Sequence, residues 1–167
     1  GILATRIREL GFEPDIPRVC LILEPGHAKT EMEEKDLNPL ERASLAKDIQ
    51  EIIRSIFPEP SNFGSSLGRR RFAIFAPIEG AEENPLQDHI VAGCQKCREQ
   101  MRGMGLILTV GAGSPARVLE ELHDSYLDAW KALTIGLKKN EPARTHSIGD
   151  YRMEDLLTTV NMKKGRI

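Results

Sequence analysis

The residues best suited to chemistry are three consecutive arginines, Arg69, Arg70 and Arg71, which follow Gly68 in a predicted turn between two strands. Guanidinium groups bind carboxylates and phosphates through paired hydrogen bonds, so this turn is a candidate contact for a small anion. Charged side chains in a turn are more often simply solvated, because a hairpin tip faces water. Both interpretations stay open at this point.

A second candidate is the glycine-rich segment at residues 111–116, which satisfies the pattern G-x-G-x-x-[GA]. In a dinucleotide-binding fold this pattern follows the first strand, and an acidic residue comes about twenty residues later. Here it follows the fourth predicted strand, and Asp150 comes too late. We therefore predict that the glycines turn the chain, Ser114 caps a helix and Pro115 starts it. The amides of Gly113 and Ser114 are then candidate anion contacts at a helix N-terminus.

The cysteines and histidines do not form a pattern that indicates a metal site or catalysis. Cys94 and Cys97 form a C-x-x-C pair, but they continue an apolar helical stripe, and no second ligand pair lies at zinc-like spacing. The third cysteine, Cys20, lies in an apolar run, and an odd number of cysteines fits a reducing compartment. The four histidines share no spacing. We predict no metal, no cofactor and no catalytic residue.

The charge balance disfavours a nucleic-acid-binding surface in this chain. The 23 basic and 25 acidic side chains leave a formal net charge of −2, whereas binding to phosphates needs an excess of cations. The longest apolar run, residues 19–23, is far too short to span a membrane, and no secretory leader opens the chain. We expect a cytoplasmic protein without membrane contact.

The elements that must position these residues alternate between strands and helices. Strand-like segments occupy residues 17–24, 62–67, 70–76, 106–110 and 144–148. The polar segment 62–67 suits an edge strand, while the apolar segment 70–76 suits the interior of a sheet. Residues 25–37, which are rich in acidic side chains, are predicted to be irregular.

Three of the helices are predicted from similar start signals. Asn38-Pro39, Asn84-Pro85 and Ser114-Pro115 each place a capping residue before a proline. A lead-in helix over residues 1–16 precedes them. The order from residue 17 to 111 is therefore β-α-β-β-α-β, which predicts an α+β fold with a ferredoxin-like core, followed by an extra C-terminal helix and strand.

Two segments resemble a known family. Residues 68–74, Gly-Arg-Arg-Arg-Phe-Ala-Ile, resemble the G-G-D-E-F-A-[IV] hairpin of the GGDEF domain of diguanylate cyclases. Residues 108–133 resemble a longer signature, G-x-G followed by L-x-x-L-x-x-S-Y-x-x-A-x-x-A-L. That signature is typical of the GGDEF-like middle domain of CdaR-type (sugar-diacid utilisation) and PucR-type (purine catabolism) bacterial transcriptional regulators.

The resemblance implies a domain organisation and partners. Residues 1–150 are expected to form a single GGDEF-like regulatory domain, and residues 151–167 to begin a connector toward a helix-turn-helix domain outside this chain. The chain is then expected to be a homodimer that contacts DNA only through that other domain and responds to a small-molecule effector. The resemblance does not identify the effector.

Departures from the family pattern decide the expected chemistry. The resemblance implies that an active cyclase holds two Mg²⁺ ions between the hairpin carboxylates and an acidic residue at the end of the first strand. Here Arg69, Arg70 and Arg71 replace the second Gly, the Asp and the Glu of that motif. Glu24, near the end of the first strand, is the only carboxylate left at a position where the family has a metal ligand. Guanidinium groups at this position would repel the ions. We expect a non-catalytic domain; the alternatives are a nucleotide-handling relative of the cyclases and a small-anion-binding module.

Overall fold

The described residues form a five-stranded sheet with three helices packed on it. The structure, a computed structural model, describes residues 5, 8–9, 13, 15–27, 37–58, 63–66, 71–79, 84–139 and 144–151. In chain order the elements are β1 (Arg18–His27), α1 (Pro39–Ile56), β2 (Phe63–Ser66), β3 (Phe72–Pro77), α2 (Asp88–Arg102), β4 (Leu106–Ala116), a 3₁₀ turn (Leu119–Glu121), α3 (Leu122–Lys138), β5 (Thr145–Ser147) and a second 3₁₀ turn (Ile148–Tyr151).

The strand order confirms the predicted α+β arrangement. The sheet runs β2-β3-β1-β4-β5, in which β1 pairs antiparallel with both β3 and β4, and β5 runs parallel to β4. The predicted edge strand is β2 at one end of the sheet, and the predicted interior strand is β3 beside it. The core order β-α-β-β-α-β with an added helix and strand is therefore as expected.

The larger apolar core lies between one face of the sheet and the helices α1 and α2. Val19, Leu21 and Leu23 alternate along β1, are fully buried and pack in one cluster with Ile49 and Ile53 of α1. The other buried members of this cluster are Phe57, Phe72, Ile74, Ala76, Ile78, Ile90, Cys94, Cys97, Met101, Leu106, Leu108, Val110 and Ala112. Burial of each large aliphatic side chain contributes about 2 kcal/mol, so this face provides most of the hydrophobic stabilisation.

The opposite face of the sheet packs against α3. Cys20 and Ile22, the alternate residues of β1, are fully buried there with Ala129 and Leu133 of α3. Helices therefore cover β1 on both faces of the sheet. Residues of α3 that face the sheet are small or aliphatic, which lets the helix lie close to the strands.

The first helix begins as predicted and the second does not. At α1 the Asn38 side chain accepts a hydrogen bond from the Glu41 amide at 2.8 Å. The Glu41 carboxylate in turn accepts a hydrogen bond from the Asn38 amide. At α2 the helix begins only at Asp88, four residues after the predicted cap. Asn84 instead accepts a hydrogen bond from the Leu86 amide at 3.0 Å, a local turn that competes with helix capping.

The predicted start of the third helix at Ser114-Pro115 is wrong. These residues continue β4, because Pro115 and Ala116 pair with Val19 and Arg18 at the start of β1. The 3₁₀ turn and α3 follow at Leu119, and the carboxylate of Glu121 accepts hydrogen bonds from the amides of Arg117 and Val118 at 3.0 and 3.2 Å. A distant strand therefore overrides the local Ser-Pro signal.

Several predicted segments lie partly or wholly outside the described residues. In the predicted lead-in helix, only Thr5, Arg8 and Glu9 are described as helical. The predicted irregular segment 25–37 is wrong for residues 25–27, which continue β1, while 28–36 lie outside the described residues. Residues 152–167 of the predicted connector also lie outside them, so the division at residue 150 stays a prediction. Of the helices described, none is long and apolar enough to cross a membrane.

Candidate functional site

The alternation of side chains along β1 and β3 brings Glu24 and Arg71 to the same place. Leu23 of β1 lies opposite Phe72 of β3, and both point into the core beneath α1 and α2. Glu24 follows Leu23 and Arg71 precedes Phe72, so each must point to the opposite face of the sheet, where α3 lies. Strand pairing therefore joins residues that are distant in the sequence.

The two side chains form a partly buried ion pair. Arg71 Nε donates a hydrogen bond to Glu24 Oε1 at 2.6 Å, and the side chains are 23% and 24% exposed. The guanidinium carbon of Arg71 also lies 4.2 Å from the ring centroid of Trp130 on α3, within the range of a cation–π contact. We call Glu24, Arg71 and Trp130 the Arg71 cluster; it connects β1, the start of β3 and α3.

The Arg71 cluster does not fit a divalent cation. Magnesium is usually held by one or two carboxylates together with water, and the only carboxylate of the cluster, that of Glu24, already accepts a hydrogen bond from Arg71. An ion bound to Glu24 would also lie about 4 Å from the Arg71 guanidinium. At an effective dielectric constant near 20, the repulsion between a double and a single positive charge at that distance is about 8 kcal/mol. Arg71 therefore provides the positive charge beside Glu24 in place of a metal ion.

The structure describes only some of the predicted anion contacts. Arg71 is committed to Glu24 and Trp130, whereas Arg69 and Arg70 lie outside the described residues. Anion binding by the three arginines stays a prediction. Gly113 and Ser114 lie within β4 and not at a helix N-terminus, so the reason for predicting an anion contact there is removed.

The two glycines of the G-x-G pattern have a packing role instead. A Cβ atom added to Gly111 would overlap the backbone carbonyl oxygen of Ala129 in α3, and one added to Gly113 would overlap that of Ser125. Our prediction that these glycines turn the chain is wrong. They let the backbone of α3 contact the backbone of β4 directly, which fixes the height of the helix, and of Trp130, above the sheet.

A shallow groove of about 430 Å³ runs between the end of β4 and the first turns of α3. Its lining residues are Ser114, Pro115, Glu121, Asp124, Leu127, Asp128 and Lys131. The Ser114 hydroxyl donates a hydrogen bond to Asp128 Oδ2 at 2.6 Å. With three carboxylates and one ammonium in its lining, the groove suits a cationic group better than an anion.

The cysteines are buried, as their apolar surroundings predicted. Cys94 and Cys97 lie in the middle of α2 with almost no exposed surface. Burial raises the pKa of Cys94 to about 11 and that of Cys97 to about 12. Because the reactive thiolate forms are disfavoured, these side chains act as core residues at neutral pH.

Sequence reasoning missed the partners of Arg71. The sequence singles out Glu24 as a remaining carboxylate and predicts that Arg71 is either solvated in a turn or an anion contact, so it does not pair the two. Trp130 is 37% exposed and contacts Arg71. The alternation of the two strands carries a signal for the pair, because Glu24 and Arg71 each stand one residue outside an apolar run; the contact with Trp130 depends on tertiary packing.

Comparison with protein families identifies the fold. The GGDEF-like domain family matches residues 2–135. This chain belongs to the GGDEF-like domain family. A comparison with proteins of curated function found no match.

Solved structures resemble this GGDEF-like domain along most of its length. The isolated GGDEF domain of a Pseudomonas aeruginosa protein is 18% identical with a TM-score of 0.61, and the match covers 93% of this chain and 91% of that one. The active GGEEF domain of a diguanylate cyclase from Vibrio cholerae is 14% identical with a TM-score of 0.53, covering 86% and 88%. An EAL/GGDEF domain protein from M. capsulatus is 16% identical with a TM-score of 0.57, covering 86% and 92%. At such identities the likeness shows the fold alone.

Proposed function

We propose that this GGDEF-like domain is a non-catalytic regulatory domain of a bacterial transcriptional regulator. In this role it acts as a cytoplasmic homodimer and relays the binding of an effector to a DNA-binding helix-turn-helix domain outside this chain. The observation that carries the proposal is the ion pair between Arg71 and Glu24, at 2.6 Å. The resemblance of residues 108–133 to the CdaR-type and PucR-type regulators supports the regulatory part.

The ion pair argues against cyclase chemistry on physical grounds. Phosphoryl transfer from a nucleoside triphosphate needs cations that neutralise the charge developing on the phosphates, and those cations need carboxylate ligands. The carboxylate of Glu24 already accepts a hydrogen bond from the Arg71 guanidinium. That group does not lose its proton and has no lone pair with which to bind a metal ion. The fold of a cyclase can therefore persist here without its reaction.

The second candidate is a nucleotide-handling enzyme related to the diguanylate cyclases. One observation favours it, the likeness of the fold to the active GGEEF domain from Vibrio cholerae. We rank it second because one fold often hosts different functions, and the residues of the site decide between them.

An activity assay separates the two candidates. The purified chain is incubated with GTP or ATP in the presence of Mg²⁺ or Mn²⁺, and products are separated by liquid chromatography and identified by mass spectrometry. An active diguanylate cyclase serves as the positive control. The proposal expects no cyclic dinucleotide with either nucleotide. A cyclic product that grows with protein concentration would overturn the non-catalytic proposal.

The transcriptional part has its own test. The reading frame of the gene is followed beyond the codon for Ile167. The proposal expects a helix-turn-helix domain encoded there. A stop codon directly after Ile167 would overturn the proposed relay to DNA, whatever the outcome of the activity assay.

A further inference from the structure

The outer face of α3 exposes two large apolar side chains between charged ones. Leu127 is 42% exposed and Trp130 is 37% exposed, and His123, Asp124 and Lys131 beside them are also exposed. The opposite side of the helix is buried against the sheet through Ser125, Ala129, Ala132, Leu133 and Gly136. We call the five exposed residues the outer α3 face.

The outer α3 face has a symmetric order of residue types around Leu127. With 100° and 1.5 Å per residue, Asp124 lies about 4.5 Å before Leu127 and Lys131 about 6 Å after it, both about 50° to the same side. His123 lies about 6 Å before Leu127 and Trp130 about 4.5 Å after it, both about 50° to the other side. Acidic and basic groups thus share one side, and two aromatic rings share the other.

Such an arrangement is complementary to itself. When two identical helices pack antiparallel across a two-fold axis at Leu127, each side of one helix faces the same side of the other, and the order of residues is reversed. Asp124 then lies opposite Lys131 of the second copy, within about 1.5 Å along the helix axis. His123 lies opposite Trp130 of the second copy in the same way, and the two Leu127 side chains meet at the axis.

We propose that the outer α3 face is the surface through which two copies of this chain associate, with their α3 helices antiparallel. The symmetric pairing forms two ion pairs between the copies, and it also covers the exposed apolar surface of Leu127 and Trp130. The groove beside α3, which contains Asp124 together with Glu121 and Asp128, adds negative charge on the side that Lys131 of the second copy approaches. The inference rests on the proposed function, because it names the surface of the proposed homodimer.

The size of this surface sets the expected strength. A stable interface buries roughly 800 Å² from each partner, which is more than one helix face provides. The dimer is therefore weak and depends on concentration. Trp130 belongs both to the outer α3 face and to the Arg71 cluster. Association of two copies therefore covers the side chain that contacts Arg71.

The test uses complementary charge reversals in the full chain. In Asp124→Lys each pair becomes two lysines, and in Lys131→Asp each pair becomes two aspartates. Each variant alone should dimerise at least about tenfold more weakly than the wild type in sedimentation velocity, because two attractive pairs become repulsive. Mixing the two variants recreates opposite charges at both pairs and should restore the dimer. Asp48→Lys, at an exposed acidic residue of α1, is the matched control and should dimerise like the wild type.

The outcomes distinguish this inference from the proposed function. A dimer that survives in both single variants overturns the outer α3 face and leaves the proposed homodimer in place. A mixture of the variants that stays monomeric overturns the antiparallel pairing of Asp124 with Lys131. A wild type that stays monomeric throughout the concentration series overturns both the surface and the homodimer, while the activity assay still decides whether the domain is catalytic.

Discussion

Arg71 Nε donates a hydrogen bond to Glu24 Oε1 across the β1–β3 pair, at 2.6 Å, and the contact joins Glu24, within β1, to the residue directly before β3. The pair places a fixed guanidinium charge directly beside the Glu24 carboxylate. The charge of Glu24 is balanced without any ligand from solution. The fold is kept, and the chemistry proposed for the site changes.

The first prediction concerns the stability that this ion pair provides. Arg71→Met removes the guanidinium from both Glu24 and Trp130, and we expect the free energy of unfolding to fall by about 1–2 kcal/mol. Glu24→Gln leaves a neutral acceptor, and the double variant completes a thermodynamic cycle. Urea denaturation should give a coupling energy of about 1 kcal/mol between the two positions. Additive effects of the two substitutions would contradict the pairing.

The second prediction concerns the close contact between α3 and β4. Gly111→Ala and Gly113→Ala each insert a methyl group where a backbone carbonyl oxygen of α3 lies, so each should lower the free energy of unfolding by about 2–4 kcal/mol. Gly149→Ala is the matched control, because its added Cβ would lie 3.8 Å from the nearest atom. Denaturation midpoints provide the measurement. Equal midpoints for all three variants would show that the helix lies farther from the strand.

The third prediction concerns a buried serine that joins α3 to two strands. Ser125 Oγ accepts a hydrogen bond from the Cys20 amide at 2.9 Å and donates one to the Ser114 carbonyl at 2.6 Å, beside the point where the β1–β4 register shifts. Ser125→Ala leaves both backbone groups without this partner, so we expect a loss of about 2 kcal/mol.

A surface serine provides the control for Ser125. Ser55 on α1 is exposed and donates a hydrogen bond to the Ile52 carbonyl at 2.7 Å. Ser55→Ala should change the free energy of unfolding by less than about 0.5 kcal/mol. Urea denaturation compares the two variants. A Ser125→Ala variant as stable as Ser55→Ala would rule out a structural role for the bridge.

The fourth prediction concerns stability at high pH. Burial raises the pKa of Cys20 and Cys97 to about 12 and that of Cys94 to about 11, from an ordinary value of 9.0. The unfolded chain therefore loses thiol protons at a lower pH than the folded chain. This contribution to stability is complete below about pH 9 and is lost as the pH rises toward 11–12, at a slope of about 1.4 kcal/mol per pH unit for each thiol.

Replacing the thiols tests the cause of this slope. Cys94→Ala/Cys97→Ala should lower stability at pH 8, because core contacts are lost, and should make the decline between pH 9 and pH 11 shallower than in the wild type. Chemical denaturation at several pH values measures both effects. An unchanged slope in the variant would assign the decline to other groups.

The order of the elements could be predicted because each strand and helix carries its own pattern. Leu21 and Ile22 point to opposite faces of the sheet, and both are fully buried. An uninterrupted apolar run predicts this directly, because it places apolar side chains on both faces of the strand. The α1 start was equally local, since Asn38 and Glu41 satisfy each other within one turn.

The start of α3 and the Arg71 cluster could not be predicted because distant contacts decide them. Ser followed by Pro is typical of the start of a helix, yet pairing with β1 keeps Ser114 and Pro115 in a strand. An arginine in a turn is typically solvated, and only the register of β3 against β1 places Arg71 beside Glu24. In both cases the deciding partner lies far away in the sequence.

The most direct test of this account is a titration with Mn²⁺ followed by electron paramagnetic resonance, which measures the free ion. Wild type and Glu24→Gln are compared at equal protein concentration. Because Arg71 already balances the charge of Glu24, the account predicts that both proteins leave the same concentration of free Mn²⁺. Binding of Mn²⁺ by the wild type that Glu24→Gln abolishes would contradict it.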